Sequence, residues 1–202
     1  LAVANYCDVQ GHFPPAYVAD ENGRPLLSWR VLVLPYLDQK ALFDQFDLTE
    51  PWDGPTNSRL LSQMPNTYRL HTIDDDNKTA TNYVAVVGEK TMWSGAEGRP
   101  NGFSTDGSLN TLLVAEFVGR PIPWTKPEDL LFDEMDMTVD SDNGICSVLT
   151  PPAFLDAGGF VHYLPADTDQ DTVRAWLTAQ GGEPIGDLPR SSDGRLRPRK
   201  SL

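Results

Sequence analysis

The sequence predicts an α+β fold of short elements joined by long irregular loops, and three features carry that reading. Before residue 65 apolar side chains recur at helical spacing, whereas from about residue 82 short β-branched runs are bounded by glycine. Along the whole chain 17 prolines and 16 glycines break it into brief pieces. With 40% apolar and 22% charged residues, 202 residues suffice to bury a core rather than stay disordered.

"LAVANYCDVQG" places Leu1, Val3, Ala4 and Cys7 on a helical stripe and ends in Gly11, a natural C-cap. It reads as the last turns of a longer helix whose upstream part has been removed by processing or by choice of boundary. "HFPPAY" cannot be helical at Pro14 and Pro15 and is expected to run extended; Asn22-Gly23 then marks a turn. In "SWRVLVLPYLDQ", Ser28 is the expected N-cap and Trp29, Leu32, Val33 and Tyr36 the buried face, with Pro35 interrupting the helix. "DQKALFDQF" is expected to bury Ala41, Leu42 and Phe46, and Asn57 to cap a short helix over "SRLLSQM". Residues 82–88, 111–117 and 160–164 are the expected strands, the last with Phe160, His162 and Leu164 on one side. "QDTVRAWLTAQGG" is an amphipathic helix with Val173, Trp176 and Leu177 inward, stopped at Gly181-Gly182.

Charge narrows the partners. A formal charge of -13 repels phosphate backbones and anionic headgroups, so nucleic acid is not an expected partner. The exception is residues 187–202, where Arg190, Arg195, Arg197, Arg199 and Lys200 sit among Ser, Gly and Pro and read as a flexible basic tail after a head domain of residues 1–186. No run approaches the roughly 18 apolar residues of a membrane span. Cys7 and Cys146 allow either one long-range bridge or two buried thiols.

Chemical motifs are sparse. His12, His71 and His162 have no partner at metal-ligand spacing, and no nucleophile elbow or phosphate loop occurs, so an enzyme is not expected and no catalytic residue is assigned. Acidic loops at 74–77, 140–144 and 167–171 supply hard oxygen ligands, although none fits the EF-hand pattern. Asp140, Asp142 and Asn143 form the best calcium candidate; no other cofactor is expected. Trp52, Trp93 and Trp124, beside Pro and Gly, read either as exposed platforms for a sugar ring or a partner, or as pins that fix loops to the core.

"GHFPPAY", "LSWRVLVLPYLDQKALFDQFDLTEPWDGPTN", "TNYVAVVG", "TDGSLNTLLVAEF", "PWTKPEDL" and "TVRAWLTAQGGE" resemble successive blocks of the prepilin-type domain of unknown function expanded in planctomycete bacteria. The resemblance implies a pilin- or pseudopilin-like fold: an N-terminal helix packed on a small antiparallel sheet, with residues 28–37 also covering that helix. It further implies a membrane-anchored precursor cleaved by a prepilin peptidase, and an extracytoplasmic head in the periplasm or at the cell surface. Partners would be similar subunits or the secretion apparatus, and the membrane would be met through the upstream helix alone. Two departures stand out. Leu70-His71 replaces the family's usual Cys-Pro, and "GGFVHYLP" lacks an Asp-Gly directly before its strand, so a pseudopilin-type calcium loop is not expected there. The leading functional expectation is a non-enzymatic subunit with a structural or assembly role in a type II secretion or type IV pilus-like system. The competing one is a secreted or anchored binding module for polysaccharide or protein.

Overall fold

The computed structural model describes residues 1–70, 78–182 and 197–198. His71, the acidic cluster at 74–77 and all of the basic tail except residues 197–198 lie outside these. In chain order the helices are α1 (Ala2–Gln10), α2 (Trp29–Leu32), α3 (Lys40–Phe43) and α4 (Gln170–Leu177). The strands begin with β1 (Tyr17–Ala19), β2 (Pro25–Ser28), β3 (Ala80–Thr81), β4 (Tyr83–Val84), β5 (Val86–Val87) and β6 (Leu112–Glu116). They continue with β7 (Ile122–Pro123), β8 (Leu130–Leu131), β9 (Leu149–Thr150), β10 (Ala153–Asp156), β11 (Val161–Tyr163) and β12 (Arg197–Pro198). The architecture is thus mixed α and β with small, mostly antiparallel sheets, as the sequence predicts.

Two compact units divide the chain. The first comprises Leu1–Asn82, Trp93–Asn101 and Pro121–Asp129; the second comprises Tyr83–Met92, Gly102–Arg120 and Leu130–Leu202.

In the first unit α1 buries Val3 and Cys7 and stops at Gly11, whose φ of 78° is the left-handed conformation glycine tolerates best. It packs on the 3₁₀ turn Leu34–Leu37, Tyr6 meeting Tyr36 edge to face at 5.6 Å. The oily stretch at 28–37 is therefore core, as expected. Ser28 caps α2 by accepting the Arg30 amide at 3.3 Å, and the helix ends at Leu32, before Pro35 would clash with it. Two details depart from expectation. Ala41 is exposed, because α3 is a single turn that buries Leu42. Asn57 lies inside the 3₁₀ helix Asn57–Gln63 rather than capping it, and its buried amide straps the preceding loop, donating to Asp47 O at 2.8 Å and Glu50 O at 2.9 Å.

At this unit's centre Arg30 is wholly buried. It pairs with Asp129 at 2.6 Å, donates to Ser28 Oγ at 2.7 Å and lies 4.8 Å from the Trp29 ring centre. Trp29 Nε1 also donates to Asp129, at 3.3 Å. The Tyr68 hydroxyl donates to Arg30 O at 2.6 Å, and burial pushes its pKa far up, so it remains a donor.

The second unit is built on the sheet β11-β10-β6-β4, antiparallel throughout. The single strand expected over 82–88 is two: β4 pairs with β6, and β5 pairs in parallel with β8. The change of partner falls at Ala85, fully buried and accepting from Leu130 N at 3.1 Å. β10 lies between β6 and β11 and has no counterpart in the sequence reading. β10 ends at Asp156, one alanine away from Gly158-Gly159 in the turn into β11, so an aspartate does precede that strand. Phe160 lies in that turn and is 61% exposed, instead of sharing the buried face of His162 and Leu164. α4 buries Val173, Trp176 and Leu177 as expected, but ends at Leu177, short of the glycine pair. Within the tail, β12 forms a two-residue ladder with β9.

Candidate functional site

The first unit carries a cleft of about 550 Å³ among α1, the 12–19 segment and the 96–100 loop. Such a volume falls within the usual range for small-ligand sites. Its walls follow from the prolines of "HFPPAY". Pro14 and Pro15 have no N–H, so the extended backbone is fixed by the amides on either side. Phe13 N donates to Arg99 O and Ala16 N to Gly95 O, each at 2.7 Å, while His12 bridges to Pro100. Trp29 N in turn donates to Ala16 O at 3.0 Å, tying the wall to the core.

Two glycines let the opposite wall come close. Gly95 has a φ of 104°, and a Cβ there would lie 3.1 Å from the Tyr17 hydroxyl. A Cβ on Gly98 would collide with the Phe13 carbonyl oxygen and with His12 Nδ1. Tyr6, His12, Pro15, Tyr17, Glu97 and Pro100 supply the cleft's aromatic, proline and polar surface. Tyr6 packs against both His12, at 5.9 Å, and Tyr36. Burial, then the neighbouring Tyr36, raises the Tyr6 pKa, which keeps its hydroxyl protonated. His12 Nδ1 lies 2.8 Å from the Phe13 carbonyl, which can only accept, so Nδ1 is the donor in that contact.

Of the two readings open for the tryptophans, burial favours the pin at two positions. Trp93 and Trp124 are 1% and 0% exposed and act as pins. Trp93 packs on Trp29 at 5.0 Å; Trp124 stacks on Tyr68 at 5.8 Å and donates to Leu61 O at 3.0 Å. Trp52 is half-buried, with Lys126 Nζ 5.7 Å from its ring centre. The aromatic residues that line the cleft are Tyr6 and Tyr17, which sequence reasoning passed over. The signal that would have found them is the double proline, which forces an extended wall beside tyrosines.

The calcium candidate lies in a turn closed by its own hydrogen bonds. Asp140 takes a φ of 64° and its amide donates to Ile145 O at 2.9 Å; Asn143 Nδ2 donates to Glu134 O at 2.9 Å, and Gly144 N to Ser141 O at 3.0 Å. Among the described residues no three His, Cys, Asp or Glu side chains gather into a metal cluster. Cys7 and Cys146 are buried thiols, not a disulfide.

The second unit holds two buried carboxylates. His162 Nε2 donates to Asp156 at 2.7 Å, and the Phe154 ring stacks on His162 at 5.2 Å and on Trp176 at 6.1 Å. His162 Nδ1 and Trp176 Nε1 are buried there without a hydrogen bond. Glu116 accepts from Ala153 N at 2.9 Å; burial raises its pKa against the lowering effect of that bond and of Ser147. Tyr83, its partner across the ladder, is pushed up to about 12 by burial and then by Glu116.

Residues 1–74 match the model of a family described as "Protein of unknown function (DUF1559)". No curated protein and no solved structure matches the chain. Among the described residues no helix is long and apolar enough to cross a membrane.

Proposed function

We propose that this chain is the head of a non-enzymatic, pseudopilin-like subunit that works outside the cytoplasmic membrane, with a structural or assembly role in a type II secretion or type IV pilus-like system. The observation that carries the reading is the use made of α1: its Val3–Cys7 stripe is covered by the Leu34–Leu37 turn, the arrangement expected where a head clasps the end of a helix. The match over residues 1–74 spans both partners of that contact and supports an uncharacterised domain family there. Producing the full-length gene product with and without a prepilin peptidase tests it. Peptidase-dependent shortening at the N-terminus, together with labelling of the head by a membrane-impermeant reagent, is the expected result. An unprocessed product confined to the cytosol would refute it.

The cleft favours a second reading, a binding module. Its walls are set by backbone hydrogen bonds and close glycine contacts, so binding would need little rearrangement. Saturable binding of a peptide or a polysaccharide fragment with chemical-shift changes at Gly95 and Gly98 is the expected outcome, and silence from both ligand types would remove this reading.

A further inference from the structure

We infer that the cleft of the first unit takes an extended, proline-flanked peptide segment carrying a basic side chain, an inference that rests on the binding-module reading. Three features of the cleft converge on that chemistry.

The cleft's fixed charge is negative. Among the described residues lining the cleft Glu97 is the one Asp, Glu, Lys or Arg side chain, and the Nδ1 donor of His12 is already taken by the Phe13 carbonyl. A carboxylate ligand would meet repulsion at Glu97, whereas a guanidinium or ammonium would find a counter-charge. The chain's formal charge of -13 steers cations inward from further away.

The apolar surface suits such a side chain. Tyr6 and Tyr17 line the cleft and bring aromatic surface within reach of a cation and its aliphatic stem. Pro15 and Pro100 line it with them, and aromatic-lined grooves of this make-up accept polyproline-type segments, whose ordering cost is already low.

The walls are also preformed. Residues 13–16 and 95–99 are cross-linked by two 2.7 Å backbone bonds, and at Gly98 the walls approach too closely for any side chain. A neutral glycan would use the rings but would gain little from Glu97, which is why the peptide is favoured.

The test is a titration of acetyl-Pro-Pro-Arg-Pro-Pro-amide into the ¹⁵N-labelled 202-residue chain, followed by amide shifts. Saturable shifts at Gly95, Gly98 and Tyr17 are expected, absent when Glu replaces Arg in the probe. Glu97→Gln, an exposed change that leaves the fold intact, should weaken binding roughly two- to fivefold, and Glu97→Lys about tenfold. Equal affinity in Glu97→Gln, or no saturable shift with the Arg probe, overturns the inference. Cellohexaose and chitohexaose are titrated in parallel. Shifts from either sugar at the same glycines, with none from the peptide, would sink the peptide inference while upholding a binding module, whereas silence from all probes would sink both.

Discussion

The two units bury polar groups around different frames, one of short elements and loops, the other a four-stranded sheet. In the first, where regular elements are a few residues long, Arg30 is buried with Asp129, Ser28 and the Trp29 ring around it, and Asn57, Trp124 and Tyr68 each tie a loop through a side-chain hydrogen bond. In the second, a four-stranded ladder satisfies much of the backbone, Glu116 and Asp156 accept the Ala153 and Phe160 amides, and Phe154 stacks on His162 and on Trp176. Each unit also leaves buried polar atoms without a hydrogen bond, Thr125 Oγ1 in the first and His162 Nδ1 and Trp176 Nε1 in the second. The difference teaches that where ladders are short a buried ion pair and its neighbours hold the loops, whereas a longer ladder leaves fewer backbone groups for side chains to tie.

The largest expected effect breaks the tie in the first unit. Asp129→Ala leaves the Arg30 guanidinium buried without its counter-ion and should cost about 3–5 kcal/mol in urea denaturation. Replacing both partners by Met and Leu should cost much less, since no charge is then stranded. If the single and double variants lose the same stability, Arg30 is not held chiefly by that pair.

Next comes a direct comparison of two indoles. Trp29→Phe removes a donor used by Asp129, while Trp176→Phe removes one that is unused, so the first change should cost roughly 1–2 kcal/mol more than the second. Matched thermal melts would show the gap, and its absence would put the two units on the same footing.

Smaller effects depend on pH. Burial raises the folded pKa of Glu116 above its ordinary 4.5, so its contribution is fully present below that value and is lost as pH rises through the folded pKa. Glu116→Gln should therefore be the more stable protein at neutral pH, with the gap closing in acid; a constant offset would mean that Glu116 is not perturbed. Asp169 behaves oppositely. Its pKa is held below the ordinary 3.8 by the Thr172 hydroxyl and then its amide, so the cap stabilises α4 above that pH and weakens as pH falls through the folded value. Asp169→Ala should speed amide exchange in the first turn of α4 near neutrality and make progressively less difference as pH falls through the folded value.

Much of this was legible in the sequence wherever a local rule decides. Gly11 and Ser28 mark helix ends, Pro35 breaks a helix, and the 112–116 and 161–163 strands fall inside their apolar runs. What escaped depends on distant partners. β10 follows Pro151-Pro152 and becomes a strand by pairing with β6 and β11 on either side. Arg30 reads as one more polar residue in an apolar run until Asp129, 99 positions away, is placed against it. The cleft escaped for the same reason: "HFPPAY" announces an extended wall but gives no hint of residues 95–100 opposite. Trp93 and Trp124 were open to two readings because a tryptophan beside proline looks alike in either, and burial alone separates them.

Gly98 has a wider consequence. Because a methyl group there would strike a carbonyl oxygen that is itself hydrogen-bonded structure, the gap between the walls is gauged by one hydrogen atom. Any chain sharing this arrangement but carrying alanine at that place must splay the groove or rebuild it, so the aperture would change in a step rather than by degrees.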